Sequence, residues 1–245
     1  MVYVYAITHQ PQVPMPATLG LEGASLLGLP YQEIAAVVSL LATTQVPATK
    51  DNLWRHEAVV EALMADRSVL PVRFGAMFAN EAAVRVLLAG YYADFLADLA
   101  RTRGHVELGV RVLCDGDDGQ LQPLAGDREA GENTSQEVPT FSPGRAYMMA
   151  RVTEERQDQA RRERAEALAA EPHAALTRLA TESTYQVLVT PRLLLTASYL
   201  VQCDQVAAFR QEVDALSAAY PEWCFLCTGP WPPYSFVTAG ASLVR

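Results

Sequence analysis

The stretch TYQVLVTPRLLLTASYLVQ, residues 184–202, decides the fold of the C-terminal half of the chain. Its two apolar runs, 184–190 and 193–202, have the residue types of β-strands. A helix capped by Asp204 follows them, and the run WCFLCTG at 223–229 predicts another strand. With the helical segment upstream, the order is α-β-β-α-β, ending in a final short strand. This order predicts a ferredoxin-like α+β sandwich, which is built on split β-α-β units.

The helical segment upstream of these strands is long and polar. It begins at Pro143, and Pro172 is expected to break or kink it before a second piece reaches residue 182. Between residues 153 and 164 its only apolar residue is Ala160. A helix that is polar on every face projects into water, bridges domains or contacts a partner helix through charge, and all three alternatives stay open.

The N-terminal region predicts another α+β layer. Helices capped by Asp51 and Asn80 are expected to end near residues 67 and 103, and to cover one face of a sheet together. The order β-β-β-α-β-α-β places strands at 2–8, 25–29, 34–40, 69–75 and 105–114. We therefore predict an N-terminal domain over residues 1–114.

Residues 115–142 separate the two folded regions. This segment holds seven acidic side chains against one basic side chain, and it has few large apolar groups. Such a composition predicts a solvated, flexible linker, with a catalytic loop as the alternative. The C-terminal domain is then residues 143–245, a long polar helix followed by the ferredoxin-like sandwich.

The composition excludes several classes of partner. Half of the residues are hydrophobic and 19% are charged, as in globular proteins, and the net charge of -9 comes mostly from the linker. The chain therefore has neither a basic surface for nucleic acid nor a polybasic patch for anionic lipid. No apolar run approaches the ~18–20 residues that span a bilayer, and no signal peptide is evident, so we expect a cytoplasmic protein.

The candidate catalytic and metal-binding motifs are incomplete. His56-Glu57 opens like the helix of a zinc protease, but Val60 stands where the second histidine ligand is needed. Cys224 and Cys227 have the spacing of a metal-binding pair, but on a strand their side chains point to opposite faces. Phosphate-binding, dinucleotide-binding and nucleophile-elbow motifs are absent as well. We predict no enzyme activity, no cofactor and no metal, and a structural role for His56.

Arg73 is unusual because it lies within the apolar run LPVRFG, where an arginine needs a partner. We predict a structural ion pair with Glu57 or Glu61 on the preceding helix.

The segment GPWPPYSFV, residues 229–237, combines three prolines with three aromatic residues and has no charge. Prolines disfavour both helix and central strand, so the segment is stiff and irregular. It is a candidate partner-binding surface, and the alternative is a packed corner in which YSFV returns as a short edge strand. The candidate residues are Trp231, Pro232, Pro233, Tyr234 and Phe236.

Several segments together resemble the gas vesicle protein F/L family. They are YVYAI at 3–7, HEAVVEALMADRSVLPVRFGAMF at 56–78, ELGVRV at 107–112 and GPWPPYSFV at 229–237. The resemblance implies two α+β domains, the second ferredoxin-like, and a non-catalytic accessory or minor structural protein of gas vesicles. It also implies association with the hydrophobic shell protein, gas vesicle protein A, and with other accessory proteins.

Two further function classes are weighed against this one. A small-ligand-binding regulatory module is the alternative, because ferredoxin-like domains often bind metabolites. An apolar pocket with converging polar groups between the domains would favour it. An enzyme ranks third, and it requires His56, His105 or His173 to meet a carboxylate in a cleft.

Overall fold

The computed structural model describes residues 1–9, 14–114, 143–187 and 193–238. It contains two antiparallel sheets with helices packed against both, which confirms the α+β class. The predicted linker at 115–142 lies outside the described residues. The division into two domains stays a prediction.

The first sheet has the strand order β2-β3-β1-β4, with a short strand β5 that also pairs with β1. Nearly every residue of its central strands β1 and β3 is apolar, because both faces of these strands are buried. A β-bulge between Val4 and Ala6 shifts the side-chain alternation along β1. The strands are β1 (Val2–His9), β2 (Leu27–Tyr31), β3 (Ile34–Leu40), β4 (Val69–Pro71) and β5 (Met77–Phe78).

Three helices cover this sheet, and they lie on both of its faces. Helix α1 (Lys50–Met64) packs with Tyr3 and Tyr5 on one face. Helices α2 (Glu81–Gly90) and α3 (Tyr92–Thr102) pack on the other face. The expectation that two helices share one face is wrong, because strands that are apolar at every position need cover on both sides.

The helix ends differ in part from prediction. Asn80 caps α2 as expected, since its side chain accepts a hydrogen bond from the backbone N–H of Ala83. The cap of α1 is Thr49 rather than Asp51, which lies inside the first turn. The predicted single helix over 80–103 is two helices that meet at Tyr91.

The second sheet has the order β7-β8-β6-β9 and is antiparallel throughout. Along the chain its elements follow the order β-α-β-β-α-β of a ferredoxin-like sandwich. They are β6 (His105–Cys114), α4 (Pro143–Thr177), β7 (Glu182–Val187), β8 (Leu193–Gln202), α5 (Val206–Ala219) and β9 (Trp223–Trp231).

The placement of strand 105–114 in the N-terminal sheet is wrong. This strand is β6, and it pairs with β8 and β9 of the second sheet. A split β-α-β unit needs a first strand before its first helix, and β6 supplies it from the far side of the predicted linker.

Of the two expected outcomes at Pro172, a break or a kink, the break does not occur, because helix α4 continues through the proline to Thr177. Beyond residue 164 it packs onto the second sheet through Ala165, Ala169, Ala175 and Leu176, and this packing holds the helix together around the proline. Every described side chain from Tyr147 to Glu163 is exposed, so the first half of α4 extends away from the sheet.

Candidate functional site at the C-terminal strap

The chain leaves β9 and crosses from the second sheet to the first. We call residues 232–238 the C-terminal strap. Its middle is a 3-10 turn, Tyr234–Phe236, so the predicted return of YSFV as a short strand is wrong. Inside β9, three residues before the strap, Gly229 has a φ of 108°, and a Cβ there would lie 2.7 Å from the carbonyl oxygen of Glu107. Only glycine fits that position without strain.

Three carboxylates from three different elements hold the strap. They belong to Glu57 on α1, Glu107 on β6 and Asp98 on α3, and each accepts at least one hydrogen bond from the strap. Helices α1 and α3 pack on the first sheet and β6 is a strand of the second sheet, so the strap ties the two halves of the molecule together.

Glu107 binds the strap with both oxygens. The backbone N–H of Ser235 donates to Oε2 at 2.8 Å, and the Ser235 hydroxyl donates to Oε1 at 2.6 Å. The Glu107 side chain is buried in the sheet, where an unpaired neutral acceptor would be unfavourable by about 1–3 kcal/mol and an unpaired carboxylate by more. These two bonds therefore satisfy a buried charge.

Asp98 anchors the end of the strap. Its Oδ2 accepts from both the N–H and the hydroxyl of Thr238, each at 2.7 Å. Its Oδ1 pairs with Arg101 Nη2 at 2.6 Å, and Arg101 also donates to the carbonyl of Phe236 and to Glu182 on β7. The Arg101 guanidinium thus links α3, the strap and the second sheet.

Tyr234 connects the strap to a buried network in the first half. Its hydroxyl donates to Glu57 Oε1 at 2.9 Å and lies 3.4 Å from His56 Nε2. Burial raises the pKa of the Glu57 carboxyl above its ordinary value, and the Tyr234 hydrogen bond opposes that shift. Burial and the neighbouring Glu57 raise the pKa of Tyr234 well above its usual range.

His56 is the centre of that network and is buried, with 1% of its surface exposed. Its Nε2–H donates to the carbonyl of Val72 at 3.0 Å, so Nδ1 accepts from the Tyr3 hydroxyl at 3.0 Å. Tyr3 in turn accepts from the backbone N–H of Gly75. Burial lowers the pKa of His56 to about 4, so the ring is neutral at physiological pH. The predicted structural role of His56 fits these contacts.

The five candidate partner-binding residues are not equally accessible. Pro232, Pro233 and Phe236 are buried, and Tyr234 is half-buried with its hydroxyl bonded to Glu57. Trp231 is 43% exposed. Most of the segment is therefore a packed corner, and Trp231 is the member that presents surface.

The predicted ion pair of Arg73 is not formed among the described residues. Strand β4 ends at Pro71, so Arg73 stands outside the sheet and is exposed. Glu57 accepts from Tyr234 instead. Sequence reasoning singled out Arg73 as the charge in an apolar strand, but Glu107 in HVELGVRV carries the same signal and is the buried one.

No group of His, Cys, Asp and Glu within the described ranges is arranged to hold a metal ion. Cys224 is exposed and Cys227 half-buried on alternate sides of β9, as the strand geometry requires. Nor does any helix in the part of the chain that the structure describes have the length and apolar character to cross a membrane.

Strand β9 is an edge of the second sheet and presents a row of side chains on the outer face. Helices α4 and α5 pack on the inner face, with Leu108, Val110 and Val112 of β6. The outer side chains of β9 are exposed, and they include Cys224, Leu226, Thr228 and Trp231. We call this row the β9 edge surface.

A cleft of about 950 Å³, which we call the junction cleft, lies where the two halves meet. Among its lining residues are His9, Glu33, Arg67, Arg103 and Cys203. The Arg67 guanidinium pairs with Asp66 at 2.6 Å and with the carbonyl of Pro14 at 3.0 Å, and it lowers the pKa of Asp66. Its Nη1 is buried and has no hydrogen-bond partner.

Comparison with known proteins identifies the relatives of this chain. The family described as gas vesicle synthesis protein GvpL/GvpF matches residues 1–238. Gas vesicle protein F2 of Halobacterium salinarum is 30% identical, over 84% of this chain and 77% of its own. Gas vesicle protein L of a Streptomyces species is also 30% identical, over 96% and 91%.

Two crystal structures share the fold. Gas vesicle protein GvpF from Microcystis aeruginosa superposes with a TM-score of 0.77 at 19% identity, covering 97% of this chain and 98% of its own. GvpF from an Anabaena species gives 0.74 at 22% identity, covering 97% and 95%.

Proposed function

Because the chain belongs to the gas vesicle synthesis protein GvpL/GvpF family, we propose that it is a non-catalytic accessory or minor structural protein of the gas vesicle. In this role it binds the hydrophobic shell protein, gas vesicle protein A, or other accessory proteins, and supports vesicle assembly in the cytoplasm. The family match over residues 1–238 carries this proposal.

The β9 edge surface is the part of the candidate site that suits such a partner. Trp231 is 43% exposed and Leu226 is 46% exposed, and they lie on the outer face of the same edge strand. An edge strand offers unpaired backbone groups to an added strand, and exposed aromatic side chains often dominate binding energies. A subunit that forms a gas-tight wall is strongly apolar and needs an apolar surface on its handling factor.

Pull-down of the shell protein from cells that produce gas vesicles tests this function. We expect Trp231→Ala to weaken recovery of the shell protein by about tenfold or more, as for a central aromatic contact. Trp54→Ala on α1 is the matched control, since Trp54 is 66% exposed in the other half of the molecule. Equal recovery with both variants would remove the β9 edge surface from the proposal. Vesicles that form normally after deletion of the gene would remove the assembly role.

Immunodetection on purified vesicles, with and without a urea wash, distinguishes a wall component from an assembly factor. A component of the wall stays with washed vesicles, whereas a factor that acts only during assembly is missing from them.

The junction cleft favours a second candidate function, a small-ligand-binding regulatory module. Its volume of about 950 Å³ falls in the range of ligand sites, and polar groups from both halves line it. A ligand that raises the melting temperature of the purified chain would support this function.

A further inference from the structure

We propose that two copies of this chain pair antiparallel through strand β7, so that two four-stranded sheets join into one of eight strands. The inference goes beyond the accessory role and is independent of shell-protein binding, because β7 and β9 are opposite edges of the second sheet. Failure to find the dimer would leave the pull-down experiment with Trp231→Ala unaffected. We call residues 183–187 the β7 edge.

The β7 edge lacks the features that usually keep sheet edges from pairing. Edge strands are commonly protected by a proline, by charged side chains, by a bulge or by being very short. Within the described ranges, β2 contains Pro30, β4 contains Pro71, β5 has two residues and β9 contains Pro230. The β7 edge has the sequence STYQV, without proline, glycine or charge. Its outward backbone N–H and C=O groups can therefore pair with another strand.

The charges around the β7 edge permit a second copy of the same strand. Glu182, at the start of β7, pairs with Arg101 on α3, so its charge is balanced within one copy. Since residues 183–187 have no other charge, two copies of this edge meet without the repulsion of like charges directly opposite each other. Most oligomers of identical chains are two-fold dimers, in which the same surface serves both partners. The β7 edge meets the electrostatic requirement for such a self-pairing.

Tyr185 is the side chain that this pairing covers. It lies opposite the buried Ala197 of β8, on the sheet face that α4 covers, yet it is 55% exposed. Its ring centroid lies 4.1 Å from that of His173 on α4. An antiparallel register centred on Tyr185 places the two Tyr185 side chains directly opposite each other on the same face. Aromatic pairs of this kind stabilise strand pairing.

A groove of about 540 Å³ between α4 and the β7 edge enlarges this surface. Ala169 and Ala170 line it from the helix with small side chains, and Tyr185 and Val187 line it from the strand. Because α4 packs over β7 and β8, the α4 helices of two paired copies lie about two strand spacings apart. That separation is roughly 10 Å, the distance at which helices pack. The second copy therefore covers the groove as well as the strand.

Sedimentation velocity of the purified full chain tests the proposal. A pair of short strands is a small interface, so we expect a dimer that dissociates as the concentration falls from about 100 to about 1 μM. Tyr185→Lys places two like charges directly opposite each other and should raise the dissociation constant at least about tenfold. Leu226→Lys is the matched control, since Leu226 is 46% exposed on the opposite edge strand, and it should leave the dissociation constant unchanged.

Hydrogen exchange locates the interface in the parent chain, without any substitution. Backbone amides of β7 should exchange more slowly at about 100 μM than at about 1 μM, whereas those of β9 should not change. If circular dichroism shows that Tyr185→Lys does not fold, this measurement decides.

Four outcomes would overturn the proposal. The first is a parent chain that stays monomeric at every concentration, and the second is a dimer that Leu226→Lys weakens as much as Tyr185→Lys. The third is slowed exchange in β9 rather than β7. The fourth is growth beyond two copies, because a two-fold pair uses up both β7 edges and closes.

Discussion

Helices cover both faces of the first sheet, whereas in the part of the chain that the structure describes they cover one face of the second sheet. In the first sheet, β1 is buried along almost its whole length between α1 on one side and α2 and α3 on the other. In the second sheet, β9 alternates between half-buried and exposed side chains. The first sheet therefore contributes mainly to stability. The second sheet can also contact a partner, because a sheet with an open face exposes the side chains of its strands.

The largest loss of stability should come from truncating a buried side chain in the first sheet, which is covered on both faces. Ile7→Ala removes a fully buried side chain from β1 and should lower the free energy of unfolding by about 3–4 kcal/mol. Leu226→Ala, a truncation of the same kind on the exposed side of β9, should lower it by less than about 1 kcal/mol. Urea unfolding measures both. Similar losses would show that the outer face of the second sheet is covered in solution.

The second effect is on the pH dependence of stability, which should differ between the two halves of the molecule. The pKa of His56 in the folded chain is about 4, below the ordinary value of 6.5. The unfolded chain therefore binds the proton first, and stability is lost as the pH falls from 6.5 to about 4. A buried histidine with this shift contributes up to ~3 kcal/mol.

The test compares His56→Gln with His173→Gln at several pH values. Burial also lowers the pKa of His173 on α4, but that ring is only half-buried, so its dependence has the same sign and is smaller. Relative to the parent chain, His56→Gln should lose less stability in acid than at neutral pH. A parallel pH profile of parent and His56→Gln would contradict the buried neutral ring.

The strands were predictable from sequence, but their pairing was not, and the helices covering the first sheet were predicted only in part. Alternation and strand-forming residues correctly predicted the strands of the second sheet, because each strand carries its own signal. The partner of β6 was missed, since pairing depends on contacts across residues 115–142 that no local pattern encodes. The segments VYVYAI and IAAVV do predict that both faces of the first sheet are covered, because their apolar residues do not alternate with polar ones.

The site was less predictable than the fold. Trp231 and Tyr234 stood out by their residue type, but their different exposure follows from the path of the strap over both sheets. Asp98 and Arg101 look like ordinary charged residues on the polar side of a helix. They hold the strap because the chain returns to α3 at Thr238, 140 positions after Asp98.

A third prediction concerns the strap that joins the two sheets. Glu107→Gln weakens the two hydrogen bonds from Ser235 and should lower the free energy of unfolding by about 2 kcal/mol. Glu154→Gln, on the exposed part of α4, should change it by less than about 0.5 kcal/mol. If the two variants unfold at the same urea concentration, the strap does not stabilise the junction between the sheets.

The smallest effect should come from removing the hydroxyl of Tyr234. Tyr234→Phe deletes the bond to Glu57 and should lower the free energy of unfolding by about 1 kcal/mol at neutral pH. Burial has already raised the pKa of Glu57, and loss of this bond raises it further, because the bond favours the charged carboxylate. Below the pKa of Glu57 the carboxyl is protonated in both chains and needs no donor. The loss should therefore shrink as the pH falls, and a loss that stays constant with pH would show that Tyr234 acts through packing instead.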